Sequence, residues 1–138
     1  MTFDDLYWTF ISWGYQLKPE YYARFKVYFM EMVRRHRVIL IHEDDNTVVA
    51  VITFFITHDA KTFANKPEFS TPLDDETGRE AFIDKMICKR WTLAARRGIE
   101  EALVGSFPQL ETAYWLREPE NRPVLIYKRR TKHARKGT

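Results

Sequence analysis

The stretch AFIDKMICKRWTLAARRGIEEALVGSFPQLETAYWL, residues 81–116, decides the fold. At its start Phe82, Asp84, Met86 and Cys88 alternate with Ile83, Lys85 and Ile87, the period of a strand. Within residues 92–107 the pattern turns helical, with Ile99, Ala102 and Leu103 as its apolar stripe, and Pro108 stops it. Residues 110–116 return to strand character. Two strands joined through a helix pair in parallel, with a right-handed crossover.

Upstream, Thr2 caps a helix with Asp4 and Asp5 in its first turn, where the macrodipole favours anions. Phe3, Leu6, Tyr7, Phe10 and Ile11 share one face, and Gly14 is the stop. A second helix is expected from Pro19, with Tyr22, Phe25, Phe29, Met32 and Val33 as its stripe and Arg34, Arg35 and His36 at its end. Residues 38–42 and 47–57 read as a hairpin across the turn Glu43-Asp44-Asp45-Asn46, the longer strand being apolar on both faces and therefore central. Residues 58–78, with Pro67, Pro72 and several acids, read as a long surface excursion. Downstream, residues 124–128 form a last strand. The expected fold is mixed α/β (α+β): two N-terminal helices, antiparallel strands, a β-α-β crossover and a final strand. One domain covers residues 1–128, and residues 129–138 are a basic tail.

The hydrophobic fraction of 45% and aromatic fraction of 15% suffice for a packed core in a chain of 138 residues. No apolar run approaches the roughly 20 residues of a membrane helix, so no membrane contact is expected. Cys88 is the lone cysteine, which excludes an internal disulfide and a cysteine zinc cluster. With the acidic start of the chain, this reads as a cytoplasmic protein. The net charge is +3, and residues 128–138 hold six basic residues and no acid, so the remainder carries −3.

The strand-helix-strand order and the stretch Arg96-Arg97-Gly98-Ile99-Glu100-Glu101-Ala102-Leu103 resemble the GNAT family of acetyl-CoA-dependent N-acetyltransferases. In that family a strand leads into a loop of pattern (Gln/Arg)-x-x-Gly-x-(Gly/Ala) and then a helix, whose free amides hold the CoA pyrophosphate. The resemblance implies acetyl-CoA as cofactor, held by Arg96, Arg97, Gly98 and Ile99. It departs from the pattern at Ala95 and at Glu100, whose carboxylate would repel a pyrophosphate. Gly98 reads equally as a glycine within an ordinary amphipathic helix. The segment Asn121-Arg122-Pro123-Val124-Leu125-Ile126-Tyr127 is similar to the family's Asn-x-x-Ala-x-x-x-Tyr, one residue shorter, and implies Tyr127 as the acid for the leaving thiolate. Small GNAT-like domains also occur in bacteriophage proteins, some without catalysis.

Asp84 is the unexpected residue of its strand face, a catalytic base, a substrate carboxylate or part of a solvated edge. His42-Glu43-Asp44-Asp45 and His58-Asp59 lack a metal-ligand spacing, so no metal is expected. Cys88 reads as a buried, inert thiol. Trp8, Trp13 and Tyr21 fall off the helical stripes, where exposure would suit a protein interface. Lys128, Arg129, Arg130, Lys132, Arg135 and Lys136 suit nucleic acid or an acidic partner. Two function classes follow. One is a GNAT-like N-acyltransferase using an acyl-CoA donor. The other is a non-catalytic GNAT-like structural or interaction protein, such as a phage virion component, touching nucleic acid or a neighbouring subunit through its tail.

Overall fold

Thr2 begins the first helix, α1 (Phe3–Ser12), with a reciprocal cap: its hydroxyl accepts from the Asp5 N–H and the Asp5 carboxylate accepts from its own N–H, each at 3.1 Å. The structure is a computed structural model and describes residues 2–43, 45–60, 74–117 and 122–128; of residues 116, 117, 122–124, 126 and 127 it describes the backbone alone. Gly14, at φ 95°, ends α1. The N–H groups of Gly14 and Tyr15 turn back to the carbonyls of Ile11 (3.0 Å) and Phe10 (3.2 Å), the paired bonds of a left-handed C-cap. Pro19 starts a 3₁₀ turn, Pro19–Tyr21, rather than the α-helix itself, and α2 runs Tyr22–Arg34. The same cap closes α2, this time with His36 at φ 59° and bonds from Arg37 to Met32 and from His36 to Val33.

The strands are β1 (Val38–His42), β2 (Val48–Thr57), β3 (Glu80–Cys88), β4 (Thr112–Arg117) and β5 (Arg122–Lys128), and they lie in one sheet in chain order. β1, β2 and β3 are antiparallel, β3 and β4 parallel, β4 and β5 antiparallel. The helix α3 (Leu93–Ser106) makes the β3–β4 crossover. β2 is buried along almost its whole length because both faces are covered. On one face α1 and α2 pack Phe3, Phe10, Phe29 and Met32 against Val51, Phe55 and Phe82. Phe3 sits among Tyr7, Tyr22, Phe25 and Phe29, with ring centroids 5.5–6.1 Å apart. On the other face Ile99 and Leu103 of α3 pack on Ile52, Phe54, Ile56 and Ile83. Each such side chain contributes about 1.5–3 kcal/mol on burial.

Three details differ from the sequence expectation. Ile11 and Val33 stay exposed, because α1 and α2 cover each other over narrower stripes than their apolar content offers. The alternation of β3 is broken by a bulge: Thr53 pairs with Lys85 but Phe54 pairs with Ile83, so Asp84 is the extra residue. Phe82 therefore packs with α2 while Met86 joins the α3 face, instead of sharing one side. Residues 75–77 at the far end of the 58–78 excursion are exposed, but the side chain of Asp74 just before them is not. Asp74 is buried between Arg37 (3.1 Å) and Arg35 (2.6 Å) and accepts the Ile56 N–H at 2.8 Å. Arg37 also lies over the Phe107 ring at 5.2 Å. Residues 61–73 of that excursion lie outside the described residues.

Candidate functional site

β3 and β4 pair over four residues, from Glu80–Thr112 to Ile83–Trp115, and then part. β3 continues to Cys88 and β4 to Arg117. Among the described residues no strand pairs with β3 on that side beyond Ile83. The result is a fork whose vertex lies at Ile83, one residue before the bulge at Asp84. Along the fork the ladder with β2 fixes which groups face inward. Lys89 donates to Val49, so Ile87 and Lys85 turn to β2, and the N–H and C=O of Met86 and Cys88 turn toward the opening.

Asp84 stands at the vertex in a defined hydrogen-bond chain. The Lys85 N–H donates to the Thr53 hydroxyl at 3.1 Å. The Thr53 and Tyr28 hydroxyls are 2.7 Å apart, and Tyr28 donates to Asp84 Oδ2. Tyr28 has one proton and gives it to the carboxylate, so Thr53 donates to Tyr28. Burial, then the Asp84 charge, raise Tyr28 far above its ordinary value and keep it a donor. Oδ2 is held, and among the described residues no hydrogen bond reaches Oδ1.

The loop after β3 carries Lys89, Arg90, Trp91 and Thr92 into α3. Thr92 is the N-cap: its backbone is extended (φ −134°, ψ 161°) and its hydroxyl accepts from Ala95 at 3.0 Å. Its carbonyl takes the Arg96 N–H at 3.1 Å. Among the described residues the amides of Leu93 and Ala94 at this helix end make no such bond. A cleft of about 910 Å³ opens here, lined by His42, Glu43, Asp45, Lys89, Arg90 and Ala94 among others. Lys89 and Arg90 line it from the β3–α3 loop, and Glu43 and Asp45 from the β1–β2 turn. Asp45 is held below the usual carboxylate value mainly by hydrogen bonds from Thr47, with Lys89 adding a little.

The residues read from sequence as the pyrophosphate loop are not in a loop. Arg96, Arg97, Gly98 and Ile99 lie inside α3, where N–H groups turn back to carbonyls four residues earlier. Ile99 is in the core. A Cβ on Gly98 would stand 3.2 Å from Ile41 Cδ1, so the glycine lets α3 approach β1. Glu100 is tied to Arg96, one turn earlier on α3, at 3.4 Å. The helix start instead holds Lys89, Arg90 and Thr92, none of which belongs to the GNAT-like motif. Their signal was a capping threonine at the first residue of the helical pattern, with two cations just before it.

Tyr127 lies in β5 opposite Ala113, which in turn pairs with Ala81. That places its backbone three residues from Asp84 along the sheet and two strands away, about 10 Å in each direction. The two catalytic candidates are not brought together. Lys128 is exposed at the end of β5, and Arg129, Arg130, Lys132, Arg135 and Lys136 lie outside the described residues. Cys88 is half-buried and its thiol is pushed up to about 11 by burial. Trp8 and Tyr21 are exposed, whereas Trp13 packs on Phe10.

Among the described residues no three metal-capable side chains converge, and no helix is long and apolar enough to cross a membrane. No family model, curated protein or solved structure matches this chain.

Proposed function

We infer that the fork is the seat of an acyl-CoA-dependent N-acyltransferase of GNAT-like architecture. One observation carries the reading: the parting of parallel β3 and β4 coincides with the bulge at Asp84, and β3 runs on from there into a strand-to-helix loop bearing two cations. Strand-edge amides and carbonyls along the fork suit the amide-bearing arm of CoA. The position of the family's loop, between strand and helix, is filled by Lys89-Arg90-Trp91-Thr92-Leu93-Ala94. It has a cation first and a small residue sixth, with Thr92 where the pattern has glycine. Lys89, Arg90 and the amides of Leu93 and Ala94 would hold the pyrophosphate.

Asp84 then acts as the base. Its free oxygen takes a proton from an amine acceptor while Tyr28 holds the other. Nitrogen attacks the thioester carbonyl, the carbon–sulfur bond breaks, and the CoA thiolate leaves. Tyr127, set apart from Asp84, is not assigned to protonate it.

A titration of acetyl-CoA into the wild type and into a Lys89→Ala/Arg90→Ala variant tests this. Loss of two charge-assisted contacts should weaken binding by tenfold or more. Unchanged affinity would remove the loop from the site. The second reading, a non-catalytic interaction module contacting nucleic acid or a subunit through residues 128–136, is favoured by one observation: the Tyr15 hydroxyl already bonds the backbone of Cys88 at the far end of the fork.

A further inference from the structure

We propose that Tyr15 is a displaceable plug of the fork, standing where an amide of the bound acyl-donor arm would sit; the inference rests on the acyl-CoA reading above. Its hydroxyl donates to the Cys88 carbonyl at 3.0 Å and accepts from the Cys88 N–H at 3.1 Å. A single hydroxyl thereby supplies both the acceptor and the donor that a neighbouring peptide unit would offer to a strand edge. The contact joins residues 73 apart in the chain.

The position of Tyr15 is set by α1. It is the residue after Gly14, and its own N–H closes the cap on Phe10 at 3.2 Å. Gly14 at φ 95° makes that turn without strain, and its Cα faces open space. Tyr15 is 37% exposed, so its ring stands at the surface and not in the core. From the vertex at Ile83 to Cys88 the β3 edge runs five residues, about 16 Å. Among the described residues none bonds the Met86 edge, and a chain laid along it meets the Tyr15 hydroxyl at Cys88. Occupation of the whole edge requires the loop between α1 and α2 to release that hydroxyl. The loop thereby senses the ligand.

The test combines amide exchange at Cys88 with calorimetric titration of acetyl-CoA, on wild type, Tyr15→Phe and Gly14→Ala. Gly14→Ala keeps the hydroxyl but strains the turn that aims it. Both variants are expected to expose the Cys88 amide to faster exchange. Both should bind acetyl-CoA about fivefold more tightly, the competing hydrogen bond being gone. Unchanged exchange in Tyr15→Phe would overturn the contact. Faster exchange with equal or weaker binding would make Tyr15 a wall of the site and overturn the plug. Silence of all three proteins toward acetyl-CoA, with exchange altered, would instead sink the acyl-CoA reading and leave the plug no ligand to oppose.

Discussion

Asp84 owes its position to a bulge and its orientation to Tyr28. A carboxylate that accepts from a buried phenol is worth more than a neutral pair. Tyr28→Phe should lower stability by about 2 kcal/mol, read from urea unfolding. A cost near zero would mean the hydroxyl chain is not formed. His36 offers the opposite case. It caps α2 at φ 59°, a conformation that costs residues with a Cβ and suits glycine. His36→Gly should stabilise by about 0.5–1 kcal/mol, and a lower midpoint of unfolding would show that the imidazole has a role beyond the cap. Neither residue's role could be read from sequence. Asp84 looked anomalous by alternation, but the bulge that explains it is defined only by its pairing with Thr53 and Phe54.

Among the elements, the order of helices and strands was legible because periodicity switches cleanly, from two along β3 to helical along α3 and back along β4. The parallel crossover followed from connection length. The start of α3 falls where the helical pattern begins, with Thr92 as its cap. Gly98, open in sequence to a loop or a helix glycine, lies inside the helix and packs against Ile41. Two substitutions separate these roles. Thr92→Ala should cost about 1 kcal/mol by freeing the Ala95 amide. Gly98→Leu should cost about 1–3 kcal/mol by overpacking against β1. If the helix start is the anion site, Gly98→Leu leaves acetyl-CoA affinity intact in the folded fraction. A selective loss of affinity there would return the site to residues 96–99.

In the whole molecule, one buried cluster ties the far end of the excursion to the joint between the helical layer and the sheet. Asp74 lies 37 residues from Arg37 in sequence, and only the fold brings them to 3.1 Å. Nothing in the local sequence marks such a pair. Removing the anion strands two guanidinium groups, so Asp74→Ala should cost about 3–5 kcal/mol in thermal or urea unfolding. The surface carboxylates give the pH dependence. Asp5, through Thr2, and Asp75, through Thr77, are held below the usual 3.8 by hydrogen bonds. Depressed carboxylates stabilise above their unfolded value and lose that contribution as pH falls through the folded one. Acid should therefore loosen the start of α1 and the turn at residues 75–77 below about pH 4.

If the fork and the helix start beside it receive acyl-CoA, acetyl-CoA should raise the midpoint of thermal melting. At a concentration about 100 times Kd the ligand should add roughly 2.7 kcal/mol, a rise in midpoint of roughly 8 °C for a domain of this size. The rise should shrink in the Lys89→Ala/Arg90→Ala variant and persist in Arg96→Ala/Arg97→Ala. An unmoved midpoint at millimolar acetyl-CoA would contradict the account.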